Sequence, residues 1–226
     1  MTHRHNRWEN KMQKLLLHDL HKSLGARFEN VEGWDLPVSY DPVDKELNSI
    51  GNTVGIIDQG YLCKLALKGK DALDLLNRIS TNDLSVMVTG ASRDTIFTSP
   101  KGRIIDFCRV VALDDGYLIV SSRRQCQTLK EWIERFIILE EVQLSDVTLN
   151  YHWLTVIGVH SRALLQHFRK EPITFKDDNI WLKFKNVTFP AFKTDRYFTE
   201  AFTLCFTEEE GKIIADGLFE HLKAVG

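Results

Sequence analysis

Hydrophobic residues recur along this chain in two rhythms, one of three to four residues and one of two, and the switches between them predict its elements. Met12, Leu15, Leu16, Leu20 and Leu24 keep the helical period from Lys11 to Leu24, and Gly25 is a natural stop. A second helical stripe, Ala72, Leu75, Leu76 and Ile79, starts behind Asp71, whose charge suits the positive end of the helix dipole. Helices are also predicted at "DPVDKELNSIGNTVG", ending near Gly51, at "QCQTLKEWIERFIIL", at "SRALLQHF" and over the closing "EEEGKIIADGLFEHLKAVG".

β-Branched and aromatic runs bounded by turn residues predict the strands. "GIIDQGYLCKLALKG" is strand-like from Gly55 to Gly69, and Thr95 to Thr98, Ile104 to Leu113 and Tyr117 to Val120 form three strands joined by the hairpin-like "SPKGR" and "DDG". "VQLSDVTL", "HWLTVIGV", "NIWLKFKNVTFPAFK" and "YFTEAFTLCF" complete the set, while the mixed "FENVEGWDLPVSY" reads as irregular. Strands then helix, twice over, is an α+β pattern of antiparallel sheets with packed helices. One domain spans residues 1–226, divisible into two intertwined subdomains at about 1–140 and 141–226.

Composition narrows the classes. With 226 residues, 43% hydrophobic and 27% charged, the chain can bury a core, and a net charge of -2 gives no field for nucleic acid or an anionic membrane. The N-terminal stretch has no signal-peptide apolar core and no run is long enough to span a bilayer, so a cytoplasmic protein is expected. Cys63, Cys108, Cys126 and Cys205 are widely spaced without CxxC or Cys/His patterning, which argues against zinc and disulfides and for a reducing compartment. Cys63 and Cys108 read as inert core thiols, and Cys126, beside basic residues, as the most reactive of the four.

One residue asks for an explanation: Asp106, inside the apolar run "IIDFCRVVAL". An ionised group there is costly unless paired or hydrogen-bonded. It is either an edge-strand acid facing water, an ion-pair partner of Arg103 or Arg109, or a functional carboxylate. Trp34 and Tyr40 either flank a cavity or simply pack, and Asp58 is a pocket residue or a strand-end cap. Asn82 and Asp83 suit a turn. His18 and His21 sit one helical turn apart without a third ligand in view, so no metal is expected.

Several segments together resemble one family. "LHDLHKSLGARFENVEGWDLPVSY", "VGIIDQGYLCKLALKGKDALDLLNRISTNDL" and "KGRIIDF" are similar, in order and spacing, to segments of aminomethyltransferases, the T-proteins of glycine cleavage. The resemblance implies an α+β fold around a tetrahydrofolate cavity and transfer of an aminomethyl or methyl unit from a small-molecule donor. It places Asp106 at the family's essential aspartate, as acid/base and orienting group. It puts Asp94 where T-proteins carry a tyrosine, Ser121 where they carry an asparagine, and Glu200 near a pterin-binding glutamate. Arg123, with Arg124, is offered to the glutamate tail of a folate or is simply solvated.

The likeness has gaps. The second aspartate of the family's usual pair is Phe107 here, and the chain ends at Gly226 where T-proteins continue into a small barrel. The implied outcomes are a site closed by another subunit or a second copy, a changed substrate, or a non-catalytic binding module. A related branch assists iron-sulfur enzymes and carries a "KGCYxGQE"-type segment that does not occur in this chain.

Overall fold

The structure, a computed structural model, describes residues 12–173 and 178–225, with side chains as far as residue 222. Two five-stranded antiparallel sheets dominate it. The first, in the order β6-β7-β8-β5-β9, joins Ser92–Thr98, Ile104–Leu113, Gly116–Ser121, Cys63–Lys68 and Gln143–Asp146. The second, β11-β12-β13-β10-β4, joins Asn179–Phe184, Val187–Lys193, Ala201–Thr207, Tyr151–Ile157 and Gly55–Asp58.

The sheets face each other through Val111, Leu118 and Val120 on one side and Trp153, Phe192 and Cys205 on the other. Their outer faces carry the helices. Helices α3 (Ala72–Ile79) and α4 (Cys126–Glu134) bury Leu75, Leu76, Leu129 and Ile133 against the first sheet. Helices α5 (Ser161–Gln166) and α6 (Glu208–Val225) bury Leu164, Leu165, Ile214 and Leu218 against the second. The result is a helix-sheet-sheet-helix stack, in which the apolar stripes of α3, α4, α5 and α6 each find a sheet to cover. The chain trades strands between layers: β4 precedes β5 but joins the second sheet, and β9 follows α4 but joins the first.

The N-terminal region departs from its expected form. Only α1 (His18–Ser23) is helical, Gln13–Lys14 (β1) runs parallel to Trp34–Asp35, and Lys11 lies outside the described residues. The helical stripe breaks because its leucines serve different neighbours, Leu15 packing with Trp34 and Leu36 while Leu17 joins the core of the second sheet. The stretch expected to be irregular is a hairpin, β2 (Arg27–Val31) and β3 (Trp34–Ser39). Its turn passes through Glu32 at φ 54° and Gly33 at φ 85°, the left-handed pair a tight hairpin requires. The helix α2 (Val43–Asn52) follows as expected.

The cysteine reading is also corrected. Cys63 and Cys126 form a disulfide across 63 residues, so Cys63 is no inert thiol and Cys126 no reactive one. Packing of α4 onto β5 brings them together, a tertiary event that spacing cannot reveal. The cysteines therefore no longer argue for a reducing compartment. Cys108 and Cys205 are free and buried, and burial raises both thiols, Cys205 to about 12.

Helix α6 crosses β10 so closely that a Cβ on Gly211 would lie 1.9 Å from His152 Nε2. Burial lowers His152 from its ordinary 6.5 to about 4, so the folded chain keeps it neutral. As pH falls from about 6.5 to about 4 the unfolded chain takes up a proton that folded His152 refuses, and stability present above that window is lost. Urea unfolding across it should show this decline, and His152→Gln should flatten it; an unchanged slope would contradict a buried neutral imidazole. Thiol titration in denaturant should find Cys108 and Cys205 before reduction and all four cysteines after it. Reduction should destabilise the fold by about 2–4 kcal/mol; four thiols without reductant would refute the pairing.

Candidate functional site

Toward one end of the sheet-sheet interface the packing stops short and leaves a hollow of about 130 Å³. Phe107 and Arg109 reach it from β7, Val120 from β8, Trp153 from β10 and Thr203 from β13, with Gln59 just beyond β4. Strand parity selects these side chains. Arg109 pairs with Val120 and Val111 with Leu118, so alternate β7 residues from Phe107 onward face the other sheet.

A charged cluster closes the hollow. Asp94, opposite Arg109 across the β6–β7 ladder, takes Nε and Nη2 of that arginine at 2.8 and 3.0 Å. Arg109 Nη1 also donates to the Lys193 carbonyl at 3.2 Å. Arg196 Nη2 approaches Asp94 at 3.4 Å, and its guanidinium lies over the Phe107 ring at 4.6 Å. Among the described residues the two arginines share the one carboxylate of Asp94, and no Asp or Glu lines the hollow. The chemistry on offer is recognition of an anion or a flat ring. Sites for drug-sized ligands run to about 300–1,000 Å³. A folate therefore does not fit this arrangement unless Phe107 and Arg196 swing out.

Asp106 does not face the hollow, a correction to the expected placement. It pairs with Phe97 and shares a face with Cys108 and Val110, turned toward the core under α3 and α4. There Oδ2 accepts the Ser121 hydroxyl at 2.5 Å and the Ser122 N–H at 2.7 Å. The carboxylate is satisfied by the corner that leads from β8 into α4, and no ion pair with Arg103 or Arg109 forms at it: Arg109 is engaged by Asp94. In "IIDFCRVVAL" both faces are largely apolar, so the sequence holds no alternation from which this direction could be read.

The remaining candidates scatter. Ser121 meets Asp106 and its residue borders the hollow. Asp94 closes the hollow as the arginines' counter-charge. Glu200 is held by Arg162 of α5, with Nε at 3.1 Å from Oε2, and borders a separate surface cavity. Trp34 is buried beside Leu15 and Leu36 with its Nε1 unpartnered, so it packs rather than lining the hollow. Arg123 opens a short 3-10 turn after β8 with a buried, unpartnered Nε, and Arg124 pairs with Glu32. Asp58 lines a second cavity of about 500 Å³ on another side of the molecule.

Sequence reasoning missed Gln59, Arg109, Arg196 and Tyr197 as lining residues. The signal for Arg109 was its cross-strand register with Asp94, legible only once the hairpin is aligned. Arg196 and Tyr197 sit in a connection before β13 and left no periodic trace. Among the described residues no cluster of His, Cys, Asp and Glu is placed to hold a metal, and no helix is long and apolar enough to cross a membrane.

Known proteins share both sequence and architecture with this chain. An aminomethyltransferase of Shouchella clausii is 30% identical over 167 residues, covering 74% of this chain and 45% of the relative. The mitochondrial aminomethyltransferase of Dictyostelium discoideum is 27% identical over 219 residues, covering 92% and 50%. The chain thus spans about half the length of the curated relatives it matches. The crystal structure of glycine cleavage system aminomethyltransferase T from Bartonella henselae superposes with a TM-score of 0.73 at 19% identity, over 92% of this chain and 57% of that one. A chain of the heterotetrameric sarcosine oxidase from Corynebacterium sp. U-96 matches at TM-score 0.55 and 12% identity, over 80% of this chain and 91% of that one. The family model of the GCVT N-terminal domain matches residues 17–211, and the chain belongs to that family.

Proposed function

We propose that this chain is a binding module built on the GCVT N-terminal fold, and that it does not by itself transfer a one-carbon unit. The observation that carries the reading is the identity of the side chain facing the hollow beside Asp106: Phe107, which has no proton to exchange. General acid/base work needs a titratable group within hydrogen-bond reach of the reacting atom. The described lining residues offer two arginines, the Tyr197 phenol and hydroxyls, and no carboxylate or imidazole.

The ligand this chemistry favours carries a carboxylate for Arg109 and Arg196 and a flat ring for Phe107 and Trp153. Tetrahydrofolate, implied by the family, meets both requirements once the Arg196–Phe107 stack opens. That opening is cheap, since both side chains are about half exposed and an exposed cation–π contact contributes about 0.5–1 kcal/mol. A second reading, a subunit completed by another chain, draws on the matched chain of the heterotetrameric sarcosine oxidase, 91% of which is covered.

Calorimetric titration with tetrahydrofolate and 5-formyltetrahydrofolate should show saturable binding, weakened about tenfold in Arg196→Gln and unchanged in Asp106→Asn. No formaldehyde or methylenetetrahydrofolate should accumulate from aminomethyl or methylamine donors. Turnover by the chain alone, abolished in Asp106→Asn, would make it a transferase; absence of binding would leave the subunit reading, to be tested by light scattering and pull-down. Asp106→Ala should destabilise the fold by about 1–3 kcal/mol, because the Ser122 N–H and Ser121 hydroxyl lose their acceptor. Hydrogen exchange at Ser122 should rise in step; full retention of stability would remove the structural role of Asp106.

A further inference from the structure

The larger cavity, about 500 Å³, lies between α1, β3, α2, β4 and the end of α6. Its walls are mostly apolar, with Leu24, Ile50, Ile56, Phe219 and Leu222 among them. At its polar end a chain of hydrogen bonds runs from the interior to the cavity surface. The Asp58 side chain is 2% exposed; Oδ1 accepts the Gly60 N–H at 2.8 Å and Oδ2 takes His21 Nε2 at 2.9 Å. The other ring nitrogen of His21 meets the Tyr40 hydroxyl at 2.5 Å, and Tyr40 is half exposed.

The roles along this chain turn on the His21 tautomer. With Nε2–H donating to the Asp58 carboxylate, the arrangement on which this inference rests, the Tyr40 hydroxyl donates inward to Nδ1 and its oxygen lone pairs are left toward the cavity. A ligand meeting those lone pairs donates. The charges agree: Asp41, Glu46 and Asp58 line the cavity, and among the described residues no lysine or arginine does. Asp41 is paired with Lys45, while Glu46 accepts the backbone N–H groups of Tyr40 and Asp41 at the rim. Burial first, and then the neighbouring Asp58 and Glu46, push the Tyr40 hydroxyl up to about 12.

We propose that this cavity is a binding site for a small organic amine, its ammonium group donating to the Tyr40 oxygen and its alkyl or aryl body lying on the apolar wall. The volume falls within the range of small-molecule sites. An ammonium beside Tyr40 gains a charge-assisted hydrogen bond and the nearby carboxylates, whereas a carboxylate ligand meets lone pairs and repulsion. The site shares no lining residue with the inter-sheet hollow and stands independently of the function proposed for it.

Protein-observed NMR or calorimetry with phenethylamine and hexylamine, against phenylethanol, hexanol and hexanoate as matched probes, tests the assignment on the full chain. The amines should bind at least about tenfold more tightly than the alcohols, and hexanoate should not bind. Tyr40→Phe should weaken the amines by about tenfold and the alcohols by less, since the lost oxygen accepts a charge-assisted hydrogen bond from an ammonium and a neutral one from an alcohol. Val38→Trp, at a half-exposed position on the rim, should block every probe while the melting temperature stays close to that of the parent. Equal binding of amine, alcohol and carboxylate, or amine binding indifferent to both Tyr40→Phe and Val38→Trp, overturns the proposal. Tetrahydrofolate titration of the same variants should match the parent, which separates this site from the hollow.

Discussion

The two-residue alternation of β7 governs the rest of the structure. One ten-residue strand builds two different interiors: Cys108, Val110 and Ala112 pack under α3 and α4, while Phe107, Arg109 and Val111 face the second sheet. A one-residue slip would drive Arg109 into an apolar core and Val110 toward the charged hollow, so the register is strongly held. Once it is held, Asp106 has no choice of direction. Its charge is then met locally, by the Ser121 hydroxyl and Ser122 N–H at the corner where β8 turns toward α4. That corner leads to Cys126, whose disulfide to Cys63 ties α4 to β5, the strand paired with β8. A carboxylate, a turn and a covalent link thus fix one end of the first sheet.

The second interior is less uniform. Lys64 is fully buried between the sheets, and Nζ donates to the carbonyls of Gly60, Leu62 and Thr148 at 2.7, 3.0 and 3.2 Å. Burial lowers its pKa to about 8, and three carbonyl dipoles stand in for the water it gives up. Nearby, Asp94 and the two arginines form an ion cluster at the edge of the hollow. Such clusters contribute little net stability, because desolvation offsets attraction. Here the cluster sets two guanidinium groups against one carboxylate at the edge of the hollow.

Much of the fold was legible because it rests on local rhythm. Each predicted helix after α1 and each predicted strand has a counterpart, since a stripe such as Ala72, Leu75, Leu76 dictates its own geometry wherever it packs. The failures share a cause. The β2–β3 hairpin turns on Glu32–Gly33, where a glutamate in a left-handed conformation gives no Asn-Gly signal. The disulfide joins residues that only the packing of α4 makes neighbours. For the candidate site, the motif pointed to β7 and to the adjacent residues Asp106 and Phe107. It could not say which of Asp106 and Phe107 faces inward, because a strand apolar on both sides carries no parity signal.

Adjacent residues divide between faces at β4 as well. Asp58 ends the strand and lines the larger cavity through its link to His21, while Gln59 borders the inter-sheet hollow and accepts the Thr155 hydroxyl at 2.8 Å. One peptide bond therefore separates the polar anchors of two cavities with opposite electrostatic character. The backbone between them is pinned on both sides, Gln59 N–H to the Trp153 carbonyl at 2.9 Å and Gly60 N–H to Asp58. With the main chain fixed, a ligand in one cavity can reach the other only through side chains that point apart. The fold thus keeps an acidic and a basic cavity lining within one strand end without letting their charges neutralise each other, the same device by which β7 keeps Asp106 away from Arg109.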